Sequence, residues 1–234
     1  MRLSIGCAAV WIAVFGCALS ASAQPARLPV TVAVMYFDYS GQDAELSSLS
    51  KGLAQLLITD LGSVSQLQLV ERTRLEEVVS ELKLARSAQV DPATRARLGR
   101  LLGARYLVLG SYFAVSGKLR ADARVVEVET GRVLRSVGAT GKTDDVFELE
   151  QTLVKGLSEA LSAQVPSRAA PPAPARPAPK RPAKLRVKTA AEYGRALDAI
   201  DRGDRADARD RLNKVLKDQP DFRLAKLQLE DLAK

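Results

Sequence analysis

The chain contains no histidine, and its two cysteines, Cys7 and Cys17, both lie close to the N-terminus. Without imidazole, the commonest general base and metal ligand is missing, so a serine nucleophile would need a lysine as its base. No G-x-S-x-G motif offers such a serine. A chain that loses its first residues on export would also have no thiol, which excludes disulfides, zinc-thiolate centres and cysteine nucleophiles. Aromatic residues make up 5% of the sequence, too few for the aromatic girdles of a membrane barrel. These scarcities predict no catalytic residue, no metal and no cofactor.

The one long apolar run is at the start. Arg2 precedes uncharged residues from Leu3 to Leu19, and Ala21-Ser22-Ala23 follows before Gln24. The pattern predicts a signal peptide over residues 1–23 cleaved after Ala23, because a spanning helix needs about 20 apolar residues and the small-residue exit reads as a protease site. Val14-Phe15-Gly16-Cys17 allows a competing reading in which Cys17 carries a lipid anchor. Either way the expected location is the periplasm, with peripheral association at the outer membrane.

The net charge of +8 suggests a nucleic-acid partner until the charges are placed. Residues 24–164 hold 17 Lys/Arg and 17 Asp/Glu, and residues 189–234 hold 10 of each, so both segments are neutral. The excess comes from Arg2 and from seven bases between Val165 and Lys188. A folded nucleic-acid domain shows a basic face, whereas five of these seven bases sit in the run Pro166–Lys184, which has seven prolines and no acid. No nucleic acid is expected. Residues 165–188 read instead as a basic linker, in which Pro166–Lys184 is a stiff spacer of roughly 60 Å if fully in polyproline II form.

Before the linker, strand and helix signals alternate. VTVAVMYFDY within Leu28–Tyr39 is the near-continuous apolar run of a central strand. Leu46, Leu49, Leu53, Leu56, Leu57 and Leu61 recur at helical spacing and end at Gly62. Leu67–Val70 is a short strand, and Thr73 with Glu76 forms an expected capping box for a second helix. Asp91-Pro92 opens a third helix that Gly103 closes. Tyr106–Val115, Leu119–Glu129 and Val133–Val137 form an expected meander joined by turns at Gly117 and Gly131. A change of apolar parity after Val125 predicts a bulge there. Thr143 is the expected cap of a last helix carrying Val146, Leu149, Leu153, Leu157 and Leu161.

Chemistry-bearing candidates are few. Gly141-Lys142-Thr143 evokes a phosphate loop, and a nucleotide-binding enzyme acting through Lys142 and Thr143 would need it, but Ser136 stands where the motif requires an earlier glycine. Glu71 and Arg72 follow a buried strand and read as a structural pair or part of a partner site. Asp38 ends the first strand in a turn. Thr189–Phe222 matches one 34-residue tetratricopeptide repeat, with Tyr193, Leu197 and Ile200 inward, a turn at Gly203-Asp204, and Pro220 after the second helix. Tyr193 and Leu197 join Glu71 and Arg72 as candidate partner-binding residues.

VAVMYFDYSG, ELSSLSKGLAQLLITDL, LQLVERTRLEEVVSELKL, LGRLLGARYLVLGSYF and ARVVEVETGRVL together resemble the CsgG-like family of exported bacterial proteins, over about Pro29 to Leu161. The resemblance implies an α/β domain with a mixed five-stranded sheet and helices on both faces, similar to the amino-terminal domain of TolB. The family's namesake is a lipid-anchored outer-membrane channel for curli subunits, while its relatives LpoB and FlgO are not pores. This chain lacks room for membrane hairpins, whose strands need about 9–11 residues each. The expectation is therefore a non-enzymatic envelope protein that binds other envelope proteins or a second copy of itself; a secretion-channel component or accessory of the curli type is the alternative. The expected organisation is a domain over 28–164, the linker, and a helical module over 189–234.

Overall fold

A computed structural model describes residues 30–82, 91–164 and 184–234. The expected signal peptide and most of the linker lie outside the described residues. The elements run β1 (Val30–Val34), β2 (Asp38–Tyr39), α1 (Ala44–Ser47), α2 (Leu49–Leu61), β3 (Leu67–Leu69), α3 (Arg72–Glu81), α4 (Pro92–Leu101), β4 (Tyr106–Val115), β5 (Lys118–Glu127), β6 (Val133–Lys142), α5 (Val146–Ser162), α6 (Val187–Asp201), α7 (Arg205–Asp218) and α8 (Arg223–Leu232).

The sheet is mixed, with order β3-β1-β4-β5-β6 and β2 alongside β4. It has six strands, one more than expected, because the first apolar run is two strands. β1 pairs with the start of β4 and β2 with its end, both in parallel, and Met35-Tyr36-Phe37 bridges them. Phe37 turns onto the sheet, where a Cβ at Gly110 would lie 2.2 Å from its ring, so that position requires glycine. The antiparallel half follows from tight turns: Ser116 and Gly117 have φ of 50° and 73°, and Gly131 has 69°.

Helices pack on both faces, on the second only in part. On one face, Tyr112 donates its hydroxyl to the carbonyls of Leu46 and Ser47, and α5 lies over β5 and β6, its Leu149 against Gly141. On the other, Gly99 of α4 sits against Val128. This explains the parity change. The register shift is at Val125/Val126 as expected, but the extra residue, Leu134, is on β6. Val126 and Val128 are not returned to the first face; they are buried on the second, where Val128 meets Gly99 of α4.

Two expected caps are replaced. Thr73 and Glu76 form no capping box: the cap of α3 is Glu71, without a side-chain bond, and Glu76 is engaged elsewhere. Asp145, not Thr143, caps α5 by accepting the Phe147 N–H. β6 continues to Lys142, so Gly138–Lys142 is strand and forms no phosphate cradle. Asp91 and Pro92 do open α4, the Asp91 carboxylate accepting from Ala93 and Thr94 N–H.

The C-terminal helices are packed on the α/β domain. Leu185 is buried, its carbonyl accepts from Val146 N–H at 2.7 Å, and Val187 N–H donates to Thr143 at 2.9 Å. The chain thus rejoins the fold at Lys184–Val187, earlier than the expected linker boundary. Gln164 and Lys184, which flank the proline-rich run, lie at opposite ends of α5, a helix of 17 residues and so roughly 25 Å. The expected 60 Å separation of two tethered modules is not present.

Candidate functional site: a buried ionic junction and an uncovered sheet face

α6 crosses α2 at two glycines. A Cβ on Gly194 would stand 1.8 Å from the Ser48 carbonyl oxygen, and one on Gly52 would stand 2.7 Å from that of Ala190. Glycine inside a helix costs about 1 kcal/mol relative to alanine, so its use here marks a contact of backbone on backbone. Phe222, before α8, meets Tyr193 edge-on at 5.0 Å and Phe147 of α5 at 6.3 Å, which closes the junction from the other side.

Charges are buried beneath this crossing. Lys51 Nζ lies 3.2 Å from Glu76, 2.7 Å from Asp198 and 2.5 Å from Asp201. Arg72 Nη1 donates to both Asp201 carboxylate oxygens at 2.6 and 2.7 Å. Tyr36 donates its hydroxyl to Glu76 at 2.7 Å, and the Lys51 ammonium lies 5.2 Å from the Tyr36 ring centre. Burial, followed by the hydrogen bond to Glu76, pushes the Tyr36 phenol up. Burial alone would lower the Arg72 guanidinium, but the bond and charge of Asp201 outweigh it and hold the group above its ordinary value. Such networks contribute little net stability, because desolvation offsets attraction, yet removing one member strands a buried charge at a cost of about 3–5 kcal/mol. Their effect is to fix one docking geometry.

Glu71 and Arg72 do not pair with each other. Arg72 is 3% exposed and reaches α6, while Glu71 remains at the surface. Tyr193 and Leu197 are fully enclosed by this chain's own helices. Three of the four candidate binding residues therefore serve contacts inside the chain. Lys51, Glu76 and Asp201 were missed. Gly52 and Gly194, glycines inside strongly patterned helices, were the legible signal of a close crossing.

The accessible polar surface is on the opposite side of the sheet. Asp38, Ser111, Asp122, Arg124 and Ser136 line a shallow depression of about 350 Å³ there. Arg120 grips Asp122 with two bonds, at 2.9 and 2.7 Å, above Gly138. Phe113 is 38% exposed and Val115 is 60% exposed. β4 is apolar on both faces, but its second face is covered only at Leu107 and Leu109. Among the described residues no group of His, Cys, Asp and Glu is arranged to hold a metal, and no helix is long and apolar enough to cross a membrane.

Residues 18–122 match the model of a protein family described as curli production assembly/transport component CsgG. The α/β domain therefore has a CsgG-like fold. The chain is 26% identical over 147 residues to a Rhizobium meliloti (strain 1021) protein named "Putative adenylate cyclase 3", covering 62% of this chain and 23% of that protein. It thus spans about a quarter of that relative's length. Similar solved structures include the lipoprotein GNA1162 from Neisseria meningitidis, 16% identical, covering 58% of this chain and 99% of that one, TM-score 0.43. The LpoB C-terminal domain from Salmonella enterica is 15% identical, covering 48% and 82%, TM-score 0.39.

Proposed function

We propose that this is an exported, non-enzymatic component of the bacterial envelope, processed after Ala23, that works by binding other proteins through the sheet face opposite α2 and α5. The family match over residues 18–122 carries the reading. It is supported by where polar groups go: the buried charges hold α6, while Ser111, Arg124 and Ser136 line an open depression on the other sheet face. The helical module acts as a support for this domain and not as a second hand on a tether. β6 ends the sheet order, so its outer edge favours self-association by strand pairing.

The test compares partner capture from envelope extract by the full chain and by an Arg124→Glu, Ser136→Trp variant. Loss of specific partners with an unchanged melting temperature supports the reading. Identical partner sets would remove the sheet face from it, and substrate turnover by the purified chain would remove its non-enzymatic basis.

A further inference from the structure

One end of the uncovered sheet face carries apolar and cationic side chains in adjacent rows. Val115 stands opposite Lys118, and Lys118 opposite Lys142, in register, so the three side chains share one face. Phe113 is two residues up the same face of β4. Like charges directly opposite on neighbouring strands destabilise a sheet unless a counter-charge is present. Arg120, one row away, has that counter-charge in Asp122, whereas among the described residues Lys118 and Lys142 have no carboxylate within ion-pair distance. The next exposed base, Lys184, precedes the stretch where Leu185 and Val187 bond to Val146 and Thr143, directly after Lys142.

The arrangement is fixed. Thr143 bonds to the Gly117 carbonyl through both its N–H and its hydroxyl, each at 3.1 Å, which ties the β4–β5 turn to the end of β6. A hairpin end with two exposed apolar side chains beside these lysines suits a plane that is apolar beneath and anionic on top. It does not suit a peptide, which would occupy the depression further along the face.

We infer that the tip formed by Phe113, Val115, Lys118 and Lys142 docks on an anionic phospholipid surface, the two apolar side chains entering the headgroup boundary and the lysines meeting phosphates. This goes beyond the proposed protein binding and depends on it only for the envelope setting; failure of lipid binding would leave the partner-capture result untouched.

The test is co-flotation of the full chain with vesicles of phosphatidylcholine alone or with added phosphatidylglycerol. The quantity read is the increment due to phosphatidylglycerol, which separates the tip from the apolar N-terminal run common to all variants. Lys118→Glu with Lys142→Glu keeps a like-charged pair in place and so preserves the fold; the increment is expected to fall at least on the order of twentyfold, from about fivefold for each lysine removed. Measured as the difference from the wild-type chain, whose tryptophan is Trp11, the Val115→Trp emission is expected to shift to the blue on phosphatidylglycerol vesicles only. No increment in the wild-type chain, or the same increment in the charge-reversed variant, would overturn the inference. Equal binding to soluble polyglutamate without a Val115→Trp shift would also overturn it, in favour of an acidic protein segment.

Discussion

Lys51 on α2 and Asp201 on α6 meet at 2.5 Å although 150 positions separate them. The pair is enclosed, and Asp201 also neutralises Arg72. Asp201→Ala should therefore leave two buried cations short of a counter-charge and lower the unfolding free energy by about 3–5 kcal/mol in urea titration. Arg74→Ala, which removes an exposed pair with Glu77, should change it by less than about 1 kcal/mol.

Gly194→Ala would place a methyl 1.8 Å from a backbone oxygen of α1–α2, which cannot rotate away. α6 must lift, at a cost of at least about 1–3 kcal/mol. Hydrogen exchange should quicken in α6 and α2 while β4 and β5 keep their protection. Uniform loss of protection would show that the crossing is not a local unit.

Glu150 gives a pH dependence. Burial raises its carboxyl from an ordinary 4.5 to about 8. The folded state therefore holds its proton more tightly than the unfolded state, and the associated stability is full below about 4.5 and is lost as pH rises through about 8. The slope from this one group cannot exceed about 1.4 kcal/mol per pH unit. Relative to Glu150→Gln, the wild-type chain should lose stability between those limits, measured by denaturant titration at successive pH values. Parallel curves would contradict this assignment.

Much of the α/β domain was legible because its signals are local. The Asp91-Pro92 start, the glycine turns at 117 and 131, and the parity change at Val125 each express a backbone requirement within a few residues. The interior of β6 was less legible. Gly138 and Gly141 look like breakers, but Gly138 lies beneath the Arg120–Asp122 pair and Gly141 against Leu149, so both are sites of close approach within a strand. The junction was hidden for another reason. Leucine stripes show that α2 and α6 have buried faces, not which element covers them, and Lys51, Glu76 and Asp201 look like ordinary charges on amphipathic helices. Glu76 also satisfies a capping-box spacing while its carboxylate serves Tyr36 and Lys51.

Removing residues 184–234 should do more than delete a module. It would uncover α2 at Gly52, leave Lys51 with Glu76 but without Asp198 and Asp201, and take Asp201 from Arg72. The shortened chain is expected to melt lower and to self-associate, seen by scanning calorimetry and light scattering. A monomeric fragment with an unchanged melting temperature would mean that the α/β domain is complete without its helices.

The account rests on α6–α8 being a fixed part of the α/β domain, and severing the connection tests this most directly. A specific protease site placed in the proline-rich run allows the full chain to be cut after folding, with the two pieces followed by native size-exclusion chromatography. The pieces should elute together from the wild-type chain and apart from an Asp201→Lys chain. Separation of the wild-type pieces immediately after cutting would contradict the account.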